Sequence, residues 1–243
     1  MKALFLKEIR SFLSSLIGYV VMGVFLLITG LFLWVFPGDT NLLDMGFASL
    51  DSLFFVTPWV FIFLIPAITM RSFSEERRTG TIELLLTKPL SEWQIVMAKY
   101  LAGLLLVWIA LLPTLVYYIT VYQLGNPIGN LDSGGIWGSY LGLFFLASAY
   151  VAIGLFCSSL TDNQIIAFLA AALLSFVMYS GFQSIANFDL LGSLDNFVGN
   201  LGMQAHFNSL GRGVVDSRDV VYFIIVSYLF LLLSRLVLLS RKW

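Results

Sequence analysis

The sequence predicts an all-α membrane protein with six transmembrane helices, an N-terminal amphipathic interfacial helix and short helices on the cytoplasmic side. Three observations predict it. Of 243 residues, 59% are hydrophobic and only 11% charged. A soluble domain carries about 25% charged residues, so most of this surface is built for lipid. Six apolar runs of 18 to 22 residues punctuate the chain, and a hydrocarbon core about 30 Å thick needs about 20 helical residues. Finally, eleven of the thirteen basic side chains fall on one side of a six-span topology.

Residues 1–15 come first. At 100° per residue Phe5, Leu6, Ile9, Phe12 and Leu13 share one face, while Lys7, Glu8, Arg10, Ser11, Ser14 and Ser15 share the other. Such a helix lies in the membrane interface. A signal peptide is the competing reading, but the apolar run that follows is too long for an h-region and has no small-x-small cleavage site. The predicted spans are 16–36, 53–70, 101–122, 138–157, 165–182 and 220–239. Pro58, Pro66 and Pro113 fall inside spans, where neighbouring helices re-satisfy the freed carbonyls. Gly138, Gly142 and Gly154 in the fourth span suit close helix approach, although plain membrane composition explains them equally. Residues 183–219 are broken by Gly192, Gly199 and Gly202 into apolar pieces too short to span. They read either as re-entrant or interfacial helices or as a compact loop.

Lys2, Lys7 and Arg10 precede the first span, five basic residues lie within 71–99, and Arg235, Arg241 and Lys242 end the chain. Only Arg212 and Arg218 fall on the opposite side. The positive-inside rule therefore puts both termini and the 71–99 segment in the cytoplasm. Several function classes are disfavoured. A net charge of −1 offers no basic face for nucleic acid. One histidine and one cysteine give no metal cluster or disulfide. There is no H-E-x-x-H pair and no G-x-x-x-x-G-K-[ST] loop. The spans hold no ionisable side chain except Arg235, near the end of the last, which argues against an ion-coupled pump.

The chemistry concentrates in residues 71–99, RSFSEERRTGTIELLLTKPLSEWQIVMAK, with five basic and four acidic side chains. A helix over 72–79 is expected to stop at Gly80, which tolerates the left-handed conformation. Thr81 is expected to cap a second short helix with Glu83 in its first turn, ended by Lys88-Pro89. Ser91-Glu92-Trp93-Gln94 is a capping-box pattern that starts the next helix. Apolar Ile82, Leu84, Leu85 and Leu86 beside charged residues suit a groove on another protein. An ordinary interfacial helix pinned by snorkelling arginines fits the pattern as well.

A resemblance separates the two. The stretch SEERRTGTIELLLTKPLSEWQIVMAKYL closely resembles the signature of ABC-2 type permeases, the membrane subunits of one class of ATP-binding-cassette transporter. The matches are Glu75, Gly80, Thr81, Glu83, Leu84, Leu85, Pro89, Ser91 and Lys99. GLFCSSLTDNQIIAF at 154–168 and HFNSLGRGVVDSRDVVYF at 206–223 resemble later family stretches in the same order. Within the family, the chain also resembles the gliding-motility permease GldF and its relatives. The resemblance implies one ABC-2 type transmembrane domain over 1–243 in the bacterial inner membrane, transporting, secreting or doing mechanical work. It implies a cytoplasmic ABC ATPase partner, which would carry ATP and magnesium, so this chain is no enzyme and binds no cofactor itself. It further implies a second permease chain, identical or related, with a related one implied for GldF-like systems. The expected ATPase-coupling residues are Phe73, Glu75, Glu76, Arg77, Arg78, Gly80, Thr81, Glu83, Leu84, Leu85 and Pro89. A non-transporting membrane anchor that docks a cytoplasmic partner is the alternative.

Overall fold

A computed structural model of the chain describes residues 1–86, 90–188, 192 and 195–240. Among them every regular element is helical. In chain order these are α1 (Lys2–Leu13), α2 (Leu16–Trp34), α3 (Asp51–Thr69), α4 (Arg71–Arg78), α5 (Thr81–Leu86), α6 (Glu92–Leu111), α7 (Leu115–Leu124), α8 (Ser133–Leu160), α9 (Gln164–Phe176), α10 (Phe182–Ala186), α11 (Asp195–Gly199), α12 (Met203–Leu210) and α13 (Ser217–Leu239). Six stretches are long and apolar enough to cross a membrane: Leu16–Trp34, Asp51–Arg78, Glu92–Leu124, Ser133–Leu160, Gln164–Ala186 and Ser217–Leu239. The protein is an all-α membrane protein.

Local chemistry explains where these helices begin, break and end. Ser91 caps α6, its hydroxyl accepting from the Gln94 amide while the Gln94 side chain accepts from the Ser91 amide. Pro113 lacks an N–H and crowds the preceding turn. The third span accordingly passes through a 3-10 turn at Leu112–Thr114, where the Thr114 hydroxyl donates to the Leu111 carbonyl at 2.7 Å. The fifth span widens into a π turn at Val177–Gly181, which no residue pattern announced. At Gly80 a φ of +71° reverses the chain between α4 and α5, a conformation that glycine adopts without a Cβ penalty.

Helix α8 is the hub. Its buried face runs from Ile136 to Ser159, and α3, α6, α9, α12 and α13 pack around it. Two approaches depend on glycine. A Cβ on Gly154 would stand 2.0 Å from Thr69 Oγ1, and one on Gly138 would stand 2.5 Å from the Leu210 carbonyl. The first lets α3 meet α8; the second seats α12 against the start of α8. Thus α12 covers the glycine-bearing face of α8 with Met203, Phe207 and Leu210 buried. We expect Gly154→Ala to lower stability by about 1–3 kcal/mol through overpacking, read as a thermal melt in detergent. Gly23→Ala, with nothing within 4 Å of the new carbon, should leave the melt unchanged.

Helix α2 stands apart from this core. It packs mainly on α3 and leaves Leu16, Tyr19, Val20, Val24 and Leu27 exposed.

Candidate functional site

Where α3 leaves its apolar run, Ser158 of α8 stands at the break before α4. Its hydroxyl accepts from the amides of Phe73 at 3.0 Å and Ser74 at 3.1 Å, and donates to the Met70 carbonyl at 2.9 Å. The Arg77 guanidinium donates to the Ser159 carbonyl in the last turn of the same helix. A side-chain hydroxyl inserted at a helix break is a recognised cause of a kink. It also ties the start of α4 rigidly to the end of α8.

The inner face of α4 is set by helical spacing: Phe73, Glu76 and Arg77 lie at i, i+3 and i+4. Phe73 is fully buried and Glu76 is buried. Opposite them, Lys99 of α6 is also buried, and a lone buried ammonium would be prohibitively costly. Here it has two hydrogen-bond acceptors and a further carboxylate oxygen beside it. Lys99 Nζ donates to Glu8 Oε1 at 2.9 Å and to the Ser72 carbonyl at 2.6 Å. It also faces Glu76 Oε2 at 3.0 Å, as an ion pair without hydrogen-bond alignment, and stands 5.0 Å from the Phe73 ring centre. Lys7 closes the quartet, donating to Glu76 Oε1 at 2.9 Å with Glu8 Oε1 3.8 Å away. Two cations and two carboxylates thus join α1, α4 and α6 into one charge-neutral latch.

Burial alone would lower the pKa of Lys7. The hydrogen bond to Glu76 and the charges of Glu76, Glu8 and Glu75 outweigh it, so the pKa rises above 10.5. A raised lysine pKa contributes stability that is complete below the unfolded value of about 10.4 and is lost as pH climbs through the folded one. Lys7 therefore holds its proton at neutral pH.

The remaining expected coupling residues divide by direction. Arg78, Thr79, Gly80, Thr81 and Glu83 are exposed, Ile82 and Leu85 are half-buried, and Glu75 is half-buried facing α1. Thr81 is the first residue of α5, and its hydroxyl points backward, 3.0 Å from Thr79 Oγ1 and 3.4 Å from the Glu76 carbonyl. Leu84 lies in α5; Pro89, with Thr87 and Lys88, lies outside the described residues. The structure therefore brings Phe73, Glu76 and Arg77 together as an inner face and presents Arg78, Gly80, Thr81 and Glu83 on the outer one.

Sequence reasoning assigned Lys7 and Glu8 to the polar face of an interfacial helix and left Ser158 and Lys99 without these contacts. One signal was available. An isolated acid on α1 and an isolated lysine entering an apolar span each call for a partner. Nothing local says that they are each other's.

Near the opposite ends of the spans, His206 on α12 lies between Asp219 Oδ1 at 2.7 Å and the Asn200 carbonyl at 2.9 Å. Its ring stacks on Tyr222 with centres 3.9 Å apart, and the Tyr222 hydroxyl donates to the Leu201 carbonyl at 2.6 Å. These contacts anchor α12 to α13. Among the described residues no group of histidine, cysteine or acidic side chains is arranged to hold a metal ion.

The family model described as ABC-2 family transporter protein matches residues 2–239. No curated protein matches the chain.

Proposed function

Starting from the fact that the chain belongs to the ABC-2 family of transporter proteins and is a transmembrane permease subunit, we propose that its α4–α5 hairpin is the contact for an ABC ATPase. The family implies that partnership, with the ATP site on the other chain. One observation supports the hairpin as the contact: its outer face is free while its inner face is latched. Arg78, Thr79, Gly80, Thr81 and Glu83 are exposed, so they are available to a partner's groove, with charges to set register. Behind them Phe73, Glu76 and Arg77 are held by α1, α6 and α8. A push on the hairpin is then delivered at once to the spans that hold α6 and α8 and to α1 beside them, because packed interfaces transmit displacement and do not absorb it.

In this proposal both termini and the hairpin face the cytoplasm of a bacterial inner membrane, since the basic residues cluster on that side. A second permease chain, related or identical, completes the transporter in this proposal. The stroke would serve transport, secretion or gliding motility, the last on the strength of the sequence resemblance alone.

The test is hydrolysis by the candidate ATPase in lipid, with and without the permease. A rate that depends on the permease is expected. No association would overturn the proposal, and association with an unchanged rate would favour a passive anchor.

A further inference from the structure

A polar cavity of about 290 Å³ opens between α1, the α3–α4 junction and α6. That is near the lower bound of the roughly 300–1,000 Å³ of small-molecule sites. Six charged side chains line it, three of each sign. Four form the latch: Lys7, Glu8, Glu76 and Lys99. Two are left over. Arg71 Nε is buried with no hydrogen-bond partner, and Glu75 makes no ion pair within 4.0 Å among the described residues. They stand one turn apart at i and i+4 on α4, with side chains directed to one side.

A cavity lined by one buried guanidinium nitrogen without a partner and one carboxylate outside the latch is matched by a zwitterion, not by a simple anion. An anion would gain Arg71 and meet Glu75 as a like charge. The second clue is the apolar surface beside it. Ala67 lines both this cavity and a groove of about 610 Å³ between α2 and α3, walled by Val20, Val24, Phe25, Phe63 and Leu64. The groove wall is almost wholly apolar, and it belongs to helices that cross the membrane. A charged chamber at the membrane surface that shares a wall residue with an apolar slot has the shape of an amphiphile.

We propose that this chamber and groove hold a zwitterionic phospholipid bearing a primary amine, of the phosphatidylethanolamine class. The Arg71 guanidinium takes the phosphodiester, the Glu75 carboxylate takes the ammonium two carbons away, and an acyl chain lies against α2 and α3. Arginine suits the first task because its planar fork matches phosphate oxygens. A primary ammonium suits the second because it donates hydrogen bonds to a carboxylate, which a trimethylated one does not. The site depends on the six spans and not on the ATPase contact.

The experiment is a native mass-spectrometric titration of the purified permease, with no ATPase present. Phosphatidylethanolamine, phosphatidylcholine and phosphatidylglycerol of matched acyl chains serve as probes. The wild type is expected to retain the ethanolamine lipid best. Arg71→Gln should weaken it by about tenfold or more, the equivalent of one lost charged hydrogen bond. Glu75→Gln should erase its advantage over the choline lipid while leaving phosphate recognition in place. Equal retention of the three lipids by the wild type overturns the proposal without reference to any variant. Undiminished binding by Arg71→Gln overturns it too. O-phosphoethanolamine competing as tightly as the intact lipid would make the ligand a soluble headgroup and overturn the membrane assignment.

Discussion

Lys99→Met is expected to destabilise the permease by about 3–5 kcal/mol, the range for removing one partner of a buried ion pair. Lys99 is 2% exposed, so its ammonium is held almost wholly by protein groups. Glu8 and Glu76 would face each other with Lys7 alone between them, and the Ser72 carbonyl would lose its donor. The double variant Lys99→Met with Glu76→Gln keeps Lys7 and Glu8 as a neutral pair. Replacing a buried ion pair by groups of similar volume is often neutral or stabilising, so the double variant should recover most of the lost thermal stability. It should not recover stimulation of the ATPase, because α4 would no longer be tied by charge to α6. A melt in detergent reads the first effect and hydrolysis in lipid reads the second. If the double variant stays as unstable as the single, the latch energetics are wrong. If it couples normally, the latch is structural and not part of the stroke.

Arg78→Glu combined with Glu83→Lys is expected to weaken ATPase association by about a hundredfold, since like charges brought together across an interface cost several kcal/mol. Both side chains are exposed and take no part in the latch, so the melt should move by no more than about 0.5 kcal/mol in stability. The swap preserves net charge, and long-range attraction between the proteins is therefore unaltered. Only the pattern at contact is inverted. A binding isotherm at fixed salt gives the answer, and wild-type affinity in the swapped variant would remove these two residues from the interface.

The fold was legible because lipid imposes a coarse rule that sequence records directly. Each span needs about 20 apolar residues, and the runs beginning near Leu16, Leu53, Leu101, Gly138, Ile165 and Val220 met it. Punctuation was legible as well: Ser91 and Gln94 form their capping box and Gly80 turns the chain, whereas Pro113, expected inside its span like Pro58 and Pro66, is the one of the three that breaks its helix. The π turn at Val177–Gly181 was not, since no breaker residue causes it and tertiary packing sets it. In the coupling segment, spacing alone could group Phe73, Glu76 and Arg77 on one face of α4. It could not say that this face turns inward, because that depends on Glu8, Lys99 and Ser158, which lie 68, 23 and 82 residues from Glu76 in the chain. Periodicity reports on neighbours one turn away. The α1–α4–α6 latch is built from residues far apart in sequence, and charges with no local partner were its only trace.

Hydrogen exchange of the lipid-reconstituted permease, with and without the ATPase, tests most directly whether the α4–α5 hairpin is the ATPase contact. Protection on adding the ATPase is expected in residues 78–86, while 203–210 of α12, near the opposite ends of the spans, should not change. Unchanged exchange across 78–86 in a complex shown to have formed would contradict the assignment.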